Sequence, residues 1–315
     1  MIDQEKATTD TISAVDLAAA CGIDPGSVAD DIAADAARQN LSYRPARAAE
    51  IEAWATMVLE RMRLPRARRT AEENQQAFEQ GWRENLELAL AGGVSAESLR
   101  PRYFRPTPFL RYRRGLIVSE NEHLEYALFT LVRRLVFRRF LADCTAVREY
   151  GCGSCGNLLL LGEMFPQLRL HALDWARSSV EIAGLLAERT GLSLTGDTFD
   201  MRRPGAAEPL AADTAILTVH ALEQLGGDFQ PLIEHFLAAR PRRVVHLEPI
   251  MELYDPDNLY DHLAVEYSRR RGYLEGYLPA LERLAAEGRI EIIEAVRPGI
   301  GGVIHEASLV VWEPR

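Results

Sequence analysis

The chain has 315 residues, of which 47% are hydrophobic and 26% charged, and its 36 basic against 46 acidic side chains give a formal net charge of −10. This composition is typical of a globular protein with one large domain or two ordinary ones, and it excludes the disordered and fibrous classes. Lys6 is the only lysine, which excludes a Gly-Lys-Ser/Thr phosphate loop and lysine-nucleophile chemistry in the body of the protein.

Neither a membrane span nor an export signal is predicted. No run approaches the 18 apolar residues that indicate a transmembrane helix. The N-terminal segment MIDQEKATTD lacks the basic start and apolar centre of a secretory signal. Four cysteines, at positions 21, 144, 152 and 155, are too few for a disulfide scaffold. We expect a cytoplasmic protein without membrane contacts.

The first hundred residues carry helical patterns and almost no strand signal. Apolar residues recur at helical spacing in four segments, 13–20, 25–40, 45–63 and 71–91. Gly22 and the pair Gly92-Gly93 predict helix ends. We therefore predict that residues 1–118 form an all-α region that acts as a lid, shapes a substrate pocket or provides the interface of a homodimer.

The second predicted domain, residues 119–315, begins with a helix and continues as alternating strands and helices. Ser119 and Glu122 have capping-box spacing, which predicts a helix over 119–141. Short apolar runs predict parallel strands separated by helices, at 146–150, 168–173, 191–196, 213–219 and 242–247. The carboxyl ends of such strands meet at one edge of the sheet, where ligands bind.

The C-terminal segment predicts a different kind of strand pairing. A long helix near 257–287 is followed by strands at 289–297 and 305–313, joined by a short glycine-rich link. A parallel return needs about a dozen residues or more, so these two strands must be antiparallel. The predicted fold is therefore α/β, a doubly wound, Rossmann-like sheet of seven strands, with five parallel strands and a terminal antiparallel hairpin.

A glycine-rich loop joins the first strand of this sheet to its helix. Gly151, Gly153 and Gly156 fit the pattern G-x-G-x-x-G, whose glycines allow a tight turn and let a ligand approach a helix N-terminus. Asp174 ends the second strand, where a carboxylate can hold both ribose hydroxyls. The pattern predicts an adenosine-containing ligand, either a dinucleotide or S-adenosylmethionine. A glycine turn without a ligand is the alternative.

From about residue 145 to its end, the chain resembles the class I S-adenosylmethionine-dependent methyltransferases, whose sheet ends in an antiparallel hairpin. The resemblance rests on that hairpin and on three motifs: Glu149-Tyr150-Gly151-Cys152-Gly153, Leu173-Asp174-Trp175 and Gly196-Asp197-Thr198. The third glycine comes one position later than in that family, after Cys155, which predicts a slightly wider turn. Ordinary dinucleotide domains lack the hairpin, so binding of NAD is the weaker alternative.

The resemblance implies S-adenosylmethionine as the cofactor and a role for each matching residue. Glu149 would lie near the amino group of the cofactor, on the glycine loop. Asp174 would hold the ribose, and Trp175 would pack on the adenine. Asp197 would meet the adenine amino group, with Thr198 supplying a backbone contact.

Ionisable residues cluster where the fourth and fifth strands end. His220 is the candidate general base, because an imidazole titrates near neutral pH, and orientation of its loop is the alternative role. Glu223, Glu248 and Glu252 are candidates for binding a cationic acceptor or sugar hydroxyls, and Glu223 and Glu248 are placed with His220 in the catalytic set. His246 lies deeper in its strand and is expected to be a core histidine. Together with His220 these carboxylates could also ligate a divalent metal, but no spacing here is a metal signature, so no metal site is predicted.

Two further motifs have plainer interpretations. Cys152 and Cys155 form a CxxC without a second pair, and we expect them to fill the glycine turn rather than to bind a metal or act in redox chemistry. His305 and Glu306 open the last strand, and they either face the site or form a solvated hairpin end.

Arginines concentrate in two segments, 61–69 and 100–114, and aromatic residues interrupt the second. Such a pattern can bind nucleic acid, but the net charge of −10 favours a lid or an interdomain contact. We predict a methyltransferase that acts on a hydroxyl or amine of a small molecule by in-line transfer, which depends mainly on positioning. The alternatives are a nucleotide-binding regulatory protein without catalysis, an NAD-dependent oxidoreductase and a nucleic-acid methyltransferase.

Overall fold

The computed structural model of the chain describes residues 9–63, 71–302 and 304–315. Helices account for most of its N-terminal part: α1 (Ala14–Ala20), α2 (Asp30–Arg38), α3 (Ala48–Arg63) and α4 (Ala71–Gly92). They match the four predicted helical segments, except that Pro25–Ser27 forms a separate 3-10 turn before α2. Asp24 caps this turn by accepting a hydrogen bond from the backbone of Gly26.

The N-terminal part is not all-α, contrary to the prediction. It also contains four short strands: β1 (Asp10–Thr11), β2 (Ser42–Pro45), β3 (Phe109–Tyr112) and β4 (Gly115–Val118). They pair antiparallel in the order β1-β2-β4-β3. Arg113 and Arg114 form the reversal between β3 and β4 with φ of 47° and 68°, conformations that only glycine and asparagine adopt readily. Strands this short, joined by a turn without a glycine at its centre, leave no pattern that sequence analysis can detect.

Helix α5 (Leu124–Phe140) begins later than the capping-box spacing predicted. The Ser119 hydroxyl does not cap it, because that hydroxyl donates to the Ser42 carbonyl at 2.7 Å. It also accepts a hydrogen bond from the Asn121 backbone at 3.1 Å. Ser119 therefore ties the start of the second predicted domain to β2.

The central sheet contains five parallel strands: β5 (Ala146–Tyr150), β6 (Arg169–Asp174), β7 (Leu194–Thr198), β8 (Thr214–Val219) and β9 (Arg243–Glu248). Three strands follow near the C-terminus: β10 (Ile290–Val296), β11 (Ile300–Gly301) and β12 (Ser308–Pro314). The sheet order is β10-β12-β9-β8-β5-β6-β7, and β12 runs antiparallel to both of its neighbours. The predicted sheet of five parallel strands and an antiparallel hairpin is confirmed.

Helices cover the sheet: α6 (Gly156–Met164), α7 (Arg177–Thr190), α8 (Gln230–Ala239), α9 (Leu259–Arg271) and α10 (Tyr277–Ala286). The last two replace the single helix predicted over 257–287. Gly272 and Gly276 break it, with φ of 63° and 88°. The Leu274 backbone in the break donates to the Glu223 carbonyl at 3.1 Å, so the break docks on the loop after β8.

The two sheets are connected through the hairpin link, because β11 pairs antiparallel with β3. Leu17 and Ile32 belong to the same buried cluster as Leu128 and Val132 of α5, so the core continues across the predicted boundary between residues 118 and 119. That boundary and the homodimer interface both stay predictions. None of the helices in the described residues combines the length and apolar character that crossing a bilayer requires.

Candidate functional site

Two adjoining cavities lie over the carboxyl ends of the parallel strands. The larger has a volume of about 570 Å³ and the smaller about 60 Å³. Five residues line both: Phe78, Trp82, Gly151, His220 and Gln224. The cavities therefore meet at the glycine loop after β5 and the loop after β8, which is where the sequence placed the site.

The glycine loop brings backbone close to its neighbours. Gly151 has φ of 73°, and a Cβ there would lie 2.4 Å from the Cβ of Ala221. Gly153 has φ of 52°, and a Cβ there would lie 2.8 Å from the ring of Trp82. Cys155 also has a left-handed backbone, with φ of 60°, at the position where the family usually has its third glycine. Both glycines are therefore required by the fold of the loop.

Glu149 is a fully buried carboxylate beneath this loop. Its Oε1 accepts a hydrogen bond from Asn157 Nδ2 at 2.5 Å, and Asn157 Oδ1 accepts one from Arg133 at 2.7 Å. Its Oε2 is buried and has no hydrogen-bond partner within the described part of the chain. Burial raises the pKa of Glu149 to about 8. Glu149 lines neither cavity, so its Oε2 is an unpaired acceptor beneath the loop, and such an acceptor is costly unless a donor reaches it.

Asp174 fastens the loop and lines the smaller cavity. Its Oδ2 accepts from the Gly153 backbone at 2.8 Å, and its Oδ1 accepts from the Ala176 backbone at 2.9 Å. Burial raises the pKa of Asp174 to about 6. Trp175 lines the same cavity, and its ring lies under the Arg202 guanidinium at 5.6 Å. The structure brings these two predicted residues together.

The structure does not bring Asp197 and Thr198 to either cavity. The Asp197 carboxylate pairs with His171 Nε2 at 2.8 Å, and its side chain is 71% exposed. Strand β7 continues to Thr198, beyond the predicted end, so the chain turns toward the site only afterwards. Phe199 and Asp200 line the smaller cavity instead. Asp200, and not Asp197, is therefore the acidic residue after β7 that lines a cavity.

His220 lies where the two cavities meet. Its backbone is left-handed, with φ of 50°, and its amide donates to the Leu247 carbonyl at 3.1 Å. Its ring packs against Phe129, with the centroids 5.1 Å apart. Burial, reinforced by the positive charge of Arg133, lowers the pKa of His220 to about 4. The imidazole is therefore neutral at pH 7 and available as a hydrogen-bond acceptor.

Glu223 lines the larger cavity one turn further along. Its Oε1 accepts from Gln224 Nε2 at 3.0 Å, while its Oε2 is buried and lacks a partner in the residues that are described. Burial raises the pKa of Glu223 to about 7. A group that exchanges a proton near neutral pH needs a pKa close to 7, and the pKa of Glu223 is closer to 7 than the pKa of His220 is.

Glu248 does not line either cavity, which corrects its place in the catalytic set. Both of its carboxylate oxygens accept from the Ala221 backbone at 3.0 Å, so it holds the loop that carries His220. Glu252 accepts from the Gly276 backbone and is likewise outside both cavities. His246 bonds to Thr218, Tyr277 and Trp312, as the prediction of a core histidine required.

Two cavity residues lie outside the predicted catalytic set. Glu125, in the first turn of α5, lines the larger cavity, and burial raises its pKa to about 7. His305 lines it from the hairpin link, between the rings of Tyr267 and Tyr273. Burial and the charge of His220 lower the pKa of His305 to about 3. The sequence placed His305 near the site as one of two interpretations, but it held no signal for Glu125.

A cluster of four charged side chains, three of them fully buried, holds the hairpin link in place. Arg111 of β3 pairs with Glu306 at 3.0 Å and with Asp261 of α9. Arg297 pairs with Glu306 at 2.6 Å and with Asp261. The Arg111 guanidinium also donates to the Ile304 carbonyl at 2.7 Å. This four-charge cluster fixes the link against the N-terminal sheet and thereby positions the imidazole that follows Ile304.

The remaining predicted features have structural roles or lie outside the described residues. Cys152 and Cys155 are buried with their sulfurs 3.8 Å apart, and burial together with their mutual hydrogen bond raises the pKa of the Cys152 thiol. No set of three His, Cys, Asp or Glu side chains in the described residues could hold a metal ion. Most of the arginine-rich segment 61–69 falls outside the described residues, but Arg61 lines the larger cavity, as does Arg105.

Comparison with solved structures gives methyltransferases at low identity. The chain is similar to geranyl diphosphate C-methyltransferase from Streptomyces coelicolor A3(2) at 11% identity, over 79% of this chain and 100% of that one, with a TM-score of 0.49. It is similar to magnesium protoporphyrin IX methyltransferase from Synechocystis PCC 6803 at 9% identity, over 82% and 94% of the two chains, with a TM-score of 0.42. An O-methyltransferase from neocarzinostatin biosynthesis gives 16% identity, 76% and 70% coverage and a TM-score of 0.41.

No protein-family model matches the chain, and no curated protein matches it either. The fold class therefore stands on the strand order of the chain itself. That order, with its antiparallel terminal hairpin, is the one expected from the resemblance to class I S-adenosylmethionine-dependent methyltransferases.

Proposed function

We propose that this chain is an S-adenosylmethionine-dependent methyltransferase that acts on a hydroxyl or amine of a small molecule. The observation that supports this best is the pair of adjoining cavities, which meet at Gly151 and His220 over the carboxyl ends of the parallel strands. The smaller cavity has the carboxylates and aromatic rings that suit an adenosine. The larger cavity has room for an acceptor beside it.

The residues present fit the cofactor. The unpartnered Oε2 of Glu149, beneath the glycine loop, can accept from an ammonium group that reaches it, and Gly151 and Gly153 bring backbone to the wall of the larger cavity. Asp174 can accept from ribose hydroxyls with the remaining lone pairs of its carboxylate. Trp175 and Phe199 can pack on adenine, with Asp200 beside them. When bound, S-adenosylmethionine supplies a methyl group activated by a positively charged sulfur.

Glu223, His220 and Glu248 have different roles in binding and deprotonating the acceptor. Glu223 can take the proton that a hydroxyl or amine must lose, because its pKa lies near 7. His220 stays neutral at that pH and can hold the acceptor by a hydrogen bond. Glu248 keeps the loop between them in place from behind. In this assignment Glu223 replaces His220 as the general base.

Calorimetry with the product S-adenosylhomocysteine tests the proposal. We expect binding to the unmodified protein and at least ~10-fold weaker binding after Asp174→Asn, because an amide cannot accept at both positions that the carboxylate serves. Asp228→Asn, at an exposed position after β8, should bind as the unmodified protein does. Absence of binding by the unmodified protein, with a thermal unfolding curve that shows it is folded, would refute the proposal.

A further inference from the structure

The larger cavity is lined by two carboxylates, of Glu125 and Glu223, that form no ion pair with any of the described residues. Glu125 has no hydrogen bond or ion pair to any of the described residues, and it is held against the hairpin link, where a Cβ on Gly302 would lie 2.5 Å from its Oε1. Glu223 keeps its Oε2 without a partner. Carboxylate oxygens that are shielded from water and accept no hydrogen bond are destabilising, so a ligand that supplies donors to Glu125 and to Oε2 of Glu223 gains affinity.

The other charged groups that face the cavity do not compensate for these carboxylates. Arg133 lines the cavity and keeps its positive charge, because its partners Asn157 and Thr130, each at 2.7 Å, are neutral, but it forms no ion pair with Glu125 or Glu223. Arg61 and Arg105 line the cavity but are exposed, so solvent and salt screen their charges at its mouth. Both histidines of the cavity are neutral at pH 7 because burial lowers their pKa. The interior of the cavity therefore offers carboxylate oxygens that are free to accept hydrogen bonds, with one guanidinium, that of Arg133, in the same wall.

Aromatic rings form a further part of the wall. Eight line the larger cavity: Phe78, Trp82, Tyr103, Phe104, Phe109, Phe129, Tyr267 and Tyr273. The negative faces of such rings attract cations, by about 0.5–2 kcal/mol each depending on desolvation. The rings also favour an apolar body on the ligand. Aromatic walls with an unpaired carboxylate are the chemistry that recognises an ammonium group on an apolar molecule.

We propose that the acceptor is an amine with an apolar body, which binds as an ammonium ion anchored by Glu125. The ammonium must lose one proton before its lone pair can attack, and that proton passes from the nitrogen to the Glu223 carboxylate. Methylation of the bound amine rests on the proposed function, whereas binding of the amine in the larger cavity does not. Among the acceptors allowed by the proposed function, this inference selects nitrogen over oxygen.

Calorimetric titration of three probes of similar shape tests the inference: phenethylamine, 2-phenylethanol and 3-phenylpropanoate. They present a cation, a neutral hydroxyl and an anion on the same phenyl body. With protein saturated with S-adenosylhomocysteine at pH 7.5, we expect phenethylamine to bind at least ~10-fold more tightly than the alcohol, and the carboxylate to bind most weakly. Binding of 3-phenylpropanoate ahead of phenethylamine would overturn the inference in favour of an anionic acceptor held by Arg61 and Arg105.

A conservative variant assigns the preference to one residue. Glu125→Gln should remove most of the advantage of phenethylamine over 2-phenylethanol and leave the affinity for S-adenosylhomocysteine unchanged. Glu122→Gln, at an exposed position one turn earlier, is the matched control for long-range charge and should keep the advantage. Phenethylamine binding that is equal in Glu125→Gln and the unmodified protein, both folded by circular dichroism, would refute the role of Glu125.

The pH dependence provides a second measurement. A primary amine, like a lysine side chain, stays protonated to about pH 10. The affinity for phenethylamine should therefore rise as Glu125 and Glu223 ionise around pH 7. An affinity that is flat between pH 6 and pH 8 would contradict the inference. If S-adenosylhomocysteine fails to bind, the proposed function fails, and the same probes titrated into the unloaded protein still decide the amine preference.

Discussion

The two cavities differ in how the chain builds them. Most of the residues around the smaller cavity come from loops that directly follow consecutive parallel strands, between Gly151 and Leu225. The larger cavity is assembled from distant segments, including α3, α5, the stretch before β3 and the hairpin link. The first kind of site follows from the topology of a parallel sheet. The second depends on which distant segments pack together.

The largest effect should come from breaking the packing that builds the larger cavity. Arg111→Met leaves Asp261 and Glu306 with one guanidinium, Arg297, in a fully buried setting. We expect the free energy of unfolding to fall by about 3–5 kcal/mol, as for other buried charges that lose a partner. Chemical denaturation with urea measures this.

The control for this prediction is an ion pair at the surface. Arg315→Met breaks the exposed pair with Glu291, and we expect a change below about 1 kcal/mol. A loss in Arg111→Met no larger than this control would show that the four-charge cluster does not anchor the hairpin link.

A second substitution tests the smaller cavity through its backbone. Gly151→Ala would place a Cβ 2.4 Å from that of Ala221 and force an alanine into a left-handed conformation. We expect the affinity for S-adenosylhomocysteine to fall by more than ~100-fold, which corresponds to about 2.7 kcal/mol. Gly184→Ala, in the middle of α7 with open space around it, should leave binding unchanged and stabilise the helix by about 0.5–1 kcal/mol. Equal affinities in the two variants would contradict the need for glycine at 151.

A third prediction, with a smaller expected effect on affinity, concerns whether Asp200 or Asp197 faces the adenine. Asp200→Ala should weaken the binding of S-adenosylhomocysteine by about 5–10-fold, the loss of one to two hydrogen bonds. Asp197→Ala should not change it, because that side chain is exposed and pairs with His171. Calorimetry on both variants compares them directly, and the reverse order would restore the assignment made from the motif Gly196-Asp197-Thr198.

The difference in how the two cavities are built also explains which features could be predicted from the sequence. The five parallel strands and the antiparallel hairpin were predictable, because strand periodicity and link length determine them. Asp174 and Trp175 line the smaller cavity, since they lie at the end of β6, and their contact with the cofactor stays a prediction. Asp197 was not placed correctly, because a strand end that shifts by two residues decides whether a side chain faces the site or the solvent.

The residues of the larger cavity were predicted less well from the sequence, for a different reason. Glu125 sits in the first turn of a helix, a position that acidic residues favour for local reasons, so nothing in its neighbourhood distinguishes a ligand-binding carboxylate. Glu248 was assigned to catalysis because it ends a parallel strand, yet it turns inward to hold the Ala221 backbone. The N-terminal sheet was missed because its strands have two to four residues, β2 pairs with β1 and β4 across more than 30 positions, and the turn between β3 and β4 has no central glycine. Such contacts are properties of the tertiary fold.

A crystal structure with bound S-adenosylhomocysteine tests the central claim, that two adjoining cavities hold the cofactor and the acceptor and meet at His220. We predict that the adenine lies in the smaller cavity beside Trp175 and Asp200. The amino group should reach Oε2 of Glu149, and the sulfur should point into the larger cavity next to His220. A ligand bound wholly within the larger cavity, or a sulfur that faces away from Glu223, would contradict the account.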